Sequence, residues 1–195
     1  MPPDSPRTPD QDTTGSRLEA AALALLKENG ILGGINLREV ADRTGANRAL
    51  VYYHFGNRRD LLRSALRRRG EELEARVRGR RVLPFVQRQV RQLRASSRGD
   101  GEYVRLLSLL VLDGDPDVRT IPLASWALGL LEGDRDRGEL PPDTDLTALL
   151  ALLTALDAGY ALFRRRYARE LGVGVSELDE RVGAMLHRVL TALSE

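Results

Sequence analysis

Leucine and alanine recur at three- and four-residue spacing along most of the chain, and no sustained apolar–polar alternation interrupts them. That period predicts an all-α protein of about nine helices. Ser16 and Glu19 have the form of a capping box, predicting a first helix that turns Leu18, Ala21, Ala22, Leu25 and Leu26 inward and stops at Asn29–Gly30. Asn36 with Glu39 caps a second helix, Leu37 to Thr44, closed by Gly45; Asn47 caps a third, from Arg48 to about His54. Helices of two turns are unstable alone in water, so Val40, Ala41, Val51 and Phe55 are expected to share a small core with the first helix. A fourth helix starts near Asn57 and passes Leu62, Leu66, Leu73 and Val77 toward Arg80. Further helices are expected over 84–97, 102–112, 116–137 with a kink at Pro122, 143–171 and 176–193, with linkers at 98–101 and 138–142.

Three segments follow from this pattern: a polar, flexible tail over 1–15 with no apolar leader, a three-helix unit over 16–62, and a larger helical domain over 63–195. Residues 146–163 are the nearest thing to a membrane span. They make a helix of only about 27 Å, and Asp157 in a lone span costs about 2.5–3.5 kcal/mol. The stretch is read as a buried interface helix, and the protein as cytoplasmic with no membrane partner.

Composition narrows the chemistry. With no cysteine and only His54 and His187, disulfides and cysteine metal sites are excluded and a multi-histidine metal centre is disfavoured. Ser108 and Asp113 have no catalytic motif around them, so no catalytic residue, metal or cofactor is expected and the chain is not read as an enzyme. The net charge is only +2, but residues 1–80 carry 15 basic and 11 acidic side chains against 15 and 17 in residues 81–195. A positive front half points to a polyanion partner for the N-terminal unit.

That unit has a form suited to such a partner. Cap, short helix, Thr44-Gly45-Ala46-Asn47 and second short helix make a helix-turn-helix, whose second helix can enter a major groove about 12 Å wide. Ala46 and Ala49 keep the helix slim at its N-terminal end, and Arg48, Tyr52, Tyr53 and His54 supply polar contacts. The run INLREVADRTGANRALVYYHFGNRRDLL, preceded by AALALLKENG, resembles the DNA-binding domain of the TetR (tetracycline repressor-like) family of transcriptional regulators. Val40-Ala41, Gly45, Tyr52-Tyr53-His54-Phe55, and Arg58 followed by Leu61-Leu62 carry the resemblance, over about Ser16 to Leu66. Asn36 and Asn47 stand where that family usually has Thr and Ser caps, and Arg58 replaces a usual lysine.

The resemblance implies that Asn36, Asn47, Tyr52, His54 and Arg58 face DNA phosphates, while Arg38, Arg48, Ala49, Leu50 and Tyr53 lie near base edges. Helix N-termini bind anions, which suits the two asparagines, and Arg48 can pair with guanine through two donors. It also implies a homodimer on a palindromic double-stranded operator, joined through the last two helices. The candidate interface is Leu149, Leu153, Leu156 and Tyr160 with Val182, Met185, Leu186 and Val189, Gly159 and Gly183 allowing close approach. Tyr103, Leu107, Leu110, Trp126, Leu130 and Phe163 could surround an apolar small-molecule effector. Asp157 then pairs with a neighbour such as an arginine, caps a turn, or meets that ligand. The expected protein is a ligand-responsive repressor released from its operator by the small molecule. Alternatives are an activator or ligand-independent regulator of the same fold, or a helical small-molecule-binding protein or enzyme.

Overall fold

In a computed structural model the described residues, 9–33, 36–77, 82–98 and 101–194, are helical with no strand. Nine helices run in order: α1 (Pro9–Gly33), α2 (Leu37–Thr44), α3 (Arg48–Phe55), α4 (Arg58–Val77), α5 (Phe85–Arg98), α6 (Gly101–Leu112), α7 (Ala124–Asp136), α8 (Leu146–Glu170) and α9 (Val175–Leu193). Residues 1–8 of the expected tail, 78–80 at the expected end of α4 and 99–100 of a linker lie outside the described residues, as do the side chains of Leu26, Leu73 and Val77.

The chain divides into two compact units. The first reaches Leu73 and takes in Leu106–Val118; the second comprises Glu74–Arg105 and Arg119–Glu195. In the first, Leu18, Ala22 and Leu25 of α1 bury at helical spacing, together with Leu37, Val40 and Ala41 of α2 and Val51 and Phe55 of α3. This is the small core expected of helices too short to stand alone. The unit extends beyond residue 62 because the next turns of α4 are also core: Ala65 and Leu66 are buried, and Arg63 and Ser64 hold partners outside their own helix.

Two elements depart from their sequence signals. Residues 9–15, expected as tail, are helical and belong to α1. The Ser16–Glu19 box is therefore not a helix start. Glu19 instead accepts from Ser64 Oγ (2.6 Å) and Arg68 (3.3 Å), so a contact with α4 replaces the local cap. Downstream, α1 continues past Asn29–Gly30 to Gly33. The helix expected over 116–137 begins only at Ala124. Gly114 adopts φ 69°, Asp115 turns inward to accept the Asp117 N–H at 3.0 Å, and Pro116 and Pro122 donate no backbone hydrogen bond.

The second unit packs α5, α7, α8 and α9 around Phe85, Leu93, Leu131, Leu149, Tyr160, Leu186 and Leu190. Asp145 caps α8, accepting from the N–H groups of Thr147 and Ala148 at 3.0 Å each. Asp134, wholly buried, is gripped by Arg88 of α5 and by Arg137, while Glu139 accepts the otherwise orphaned Phe85 N–H at 2.5 Å. Asp134→Ala leaves the largely covered Arg88 without its carboxylate and is expected to cost about 3 kcal/mol, read as a lower urea midpoint at unchanged slope. An unchanged midpoint would show that the pair contributes nothing net.

Candidate nucleic-acid interface

Two asparagines and a glycine shape the turn between α2 and α3. Asn36 and Asn47 both sit in extended backbone, and their side-chain oxygens accept from the N–H of the second helical residue, Arg38 and Ala49, at 2.9 Å each. Gly45 closes α2 at φ 67°, ψ 15°, a left-handed conformation that costs glycine nothing, and its N–H is directed at the carbonyls of Ala41 and Asp42. Ala46 N–H follows onto Ala41 O at 3.1 Å. Gly56, also at positive φ, ends α3 one residue beyond the expected His54.

This frame divides α3 cleanly. Val51 and Phe55, four apart, are its buried residues, and the other side is open to solvent. On that side Tyr53 is 78% exposed, Tyr52 49% and Leu50 37%, with Arg48 and Ala49 exposed at the helix start. His54, at the helix end, is half-buried and meets the Tyr53 ring edge-on. Asn36, Arg38, Asn47 and Arg58 are exposed as well. All ten residues expected at DNA thus have accessible side chains around one short helix and the two helix starts beside it.

The arginines here fall into two classes. Arg38 and Arg58 make no ion pair among the described residues. Arg43 is held by Glu28 through two bonds of 2.6 Å, which lower the Glu28 carboxyl below its ordinary range, and Arg48 lies 3.3 Å from Asp42. Immediately after α3, Arg59 and Arg63 in the first turns of α4 hold the segment following α6. Arg59 bonds Asp113 at 2.5 Å; Arg63 bonds the buried Asp115 at 2.6 and 2.8 Å and reaches Asp117 at 3.0 Å. The Arg63 guanidinium holds the Asp115 carboxyl below the usual range. Local periodicity carries no sign of this clasp, because its partners are more than fifty residues apart.

The other expected sites are scattered more widely. Leu107 and Leu110 are buried within the first unit, whereas Tyr103, Trp126, Leu130, Asp157 and Phe163 belong to the second, with Trp126 and Phe163 about half exposed. None of them lines the polar cleft of about 390 Å³ in the first unit, which is bounded by Ser16, Glu19, His54, Asp60, Ser64 and Arg67. Asp157 neither caps a turn nor pairs with an arginine among the described residues, and burial pushes its carboxyl up to about 7. Of the interface candidates, Leu149, Tyr160 and Leu186 are buried within the chain, and Leu153 and Val182 pack against that same core. Leu156, Met185 and Val189 face outward at 40%, 56% and 56% exposure. Gly183 is buried within the chain beside Arg94, where a Cβ would make only an ordinary contact at 3.4 Å, while Gly159 faces open space.

Apolar periodicity alone did not separate these two faces of α8 and α9. Leu152, Phe163 and Tyr167 extend the outward stripe of α8, and Leu193 that of α9. The helix expected to be buried is therefore covered on one side only within the chain. It is the one helix among the described residues long and apolar enough to cross a membrane, yet its buried residues run from Leu146 to Ala168 as one wall of a helical bundle.

The sequence comparisons bear on the first unit. Residues 18–65 match the family model for bacterial regulatory proteins of the tetR family. A TetR-family regulator from Streptomyces coelicolor A3, known from a crystal structure, is similar over 96% of this chain and 99% of its own, at 17% identity and a TM-score of 0.39. No curated relative matches. The matched segment spans the capped helix pair, the turn glycine and the exposed face of α3, so residues 18–65 form a domain similar to the N-terminal, DNA-binding domain of bacterial regulatory proteins of the tetR family.

Proposed function

We propose that the chain acts as a homodimeric repressor on a two-fold symmetric operator and is released by a small molecule held in its second unit. The observation that carries DNA recognition is the exposed face of α3, Arg48 to Tyr53, set between two asparagine-capped helix starts. Free N–H groups at those starts bind phosphate and fix the register. Arg48, Leu50 and Tyr53 then meet base edges, and Tyr52, His54 and Arg58 the flanking backbone.

A single short helix reads too few bases for a specific site. Two copies about 34 Å apart read successive major grooves, and a two-fold axis places them there. The outward stripe Leu152, Leu156, Phe163 and Tyr167 on α8, with Met185, Val189 and Leu193 on α9, supports dimerisation through these helices. The arginines without an ion pair among the described residues, Arg38 and Arg58, give four cations per dimer at the DNA and a log–log salt slope of about −4. Fluorescence anisotropy of a labelled duplex from upstream of the protein's own gene, titrated across salt, measures that slope. A slope near zero would remove DNA binding from the proposal.

Effector binding is assigned to the second unit on the strength of Trp126, half exposed, and of Asp157, a carboxylate without a partner among the described residues. Asp157 also makes stability depend on pH. Between about pH 4 and pH 7 the folded chain keeps a proton that the unfolded chain has lost, so stability falls as pH rises and levels off above 7. Asp157→Asn is expected to remove the fall and to stabilise the free protein near pH 8 by roughly 4 kcal/mol at most. Urea midpoints of both proteins from pH 5 to pH 8 measure it; parallel curves would show that Asp157 is ionised at no cost.

A further inference from the structure

We infer that Asp42 is a positioning residue for base recognition: it holds the Arg48 guanidinium in place and withholds its charge from DNA that lacks the matching base. This rests on the DNA reading above. Asp42 lies on α2 and Arg48 at the first position of α3, so the contact bridges the two helices of the motif. Both carboxylate oxygens meet a single nitrogen, Nη2, at 3.3 and 3.5 Å. The Nη1 and Nε donors have no partner among the described residues. Both side chains stay more than half exposed, which leaves the pair reachable from the groove.

The consequence follows from competition. On unrelated DNA, Arg48 gains a phosphate only by giving up Asp42, and Asp42 itself repels the phosphate, so the net attraction is small. On a guanine, one free donor, Nη1 or Nε, and one Nη2 hydrogen bond O6 and N7 while the second Nη2 hydrogen keeps its carboxylate, and the held side chain has less freedom left to lose. Arg38 and Arg58, without such a partner among the described residues, are free to meet any phosphate and supply the sequence-independent attraction. Asp42 thus sets one held arginine apart from the free ones beside it.

The test uses the full chain with a duplex selected from a random pool and a scrambled duplex of equal length. Affinities are compared for wild type, D42A, D42N, R48A and D42A/R48A. D42A is expected to tighten scrambled binding about threefold per half-site, hence about tenfold per dimer, with operator affinity nearly unchanged. Its salt slope on scrambled DNA should steepen by about 2. D42N, which keeps an acceptor but no charge, should fall between. In the R48A background the D42A effect should fall to the small part that Asp42's own charge contributes. An equal tightening with and without Arg48 would make Asp42 a mere repelling surface charge, and an unchanged discrimination ratio would give it no role; either overturns the inference. Failure of any sequence to enrich from the pool would instead overturn the DNA reading, and this inference with it.

Discussion

Arg48→Ala is expected to weaken operator binding about a thousandfold while binding to unrelated duplex changes only a few-fold. A two-donor bond to guanine contributes about 1–3 kcal/mol, and a symmetric dimer loses two of them, about 4 kcal/mol in all. Non-specific binding is spared because Arg48 is already paired with Asp42 and contributes little attraction there. Competition binding with each base varied in turn measures this directly. The expected pattern is loss of preference at one base pair per half-site. Uniform weakening on every duplex would make Arg48 a phosphate contact. The fold should be untouched, since Arg48 is exposed and the helix start is held by Asn47.

The second large effect concerns the outward stripe of α8 and α9. Leu156→Glu places one carboxylate in each half of a symmetric apolar interface, where an unpaired charge costs several kcal/mol or must take up a proton. The variant is expected to run as a monomer by light scattering at micromolar concentration, with helical circular dichroism intact, and to lose operator affinity by more than about a thousandfold. Leu186→Ala provides the contrast: Leu186 is buried within one chain, so its truncation should lower stability by about 2–5 kcal/mol. A Leu156→Glu protein that remains dimeric and binds normally would move the interface elsewhere on the molecule.

The sequence was most legible where local chemistry alone decides structure. Asn36, Gly45 and Asn47 place both ends of α2 and the start of α3 at the expected residues, because caps and left-handed turns depend on only a few neighbours. Reading failed where a distant partner outbid a local one. Ser16 and Glu19 have every feature of a helix start, yet Glu19 is occupied by Ser64 and Arg68 of α4. Residues 116–123 carry no helix because Asp115 is drawn in by Arg63 and two prolines interrupt the backbone. Both causes involve pairs forty-five or more residues apart.

The apolar faces failed for a different reason. α8 is leucine-rich nearly all round, so spacing identifies its candidates without saying which side meets the core of its own chain. Leu149 and Tyr160 turned inward, and Leu152 and Phe163 outward. The exposed half of α3 was better marked, since Val51 and Phe55 are its obvious apolar pair and charged or aromatic residues fill the remainder.

Selection of bound duplexes from a random pool by the full-length protein tests the central proposal most directly. A two-fold symmetric sequence should emerge, its half-sites about ten base pairs apart from centre to centre, matching two α3 helices in successive grooves. Recovery of a single asymmetric half-site, or no enrichment over the starting pool, would contradict it.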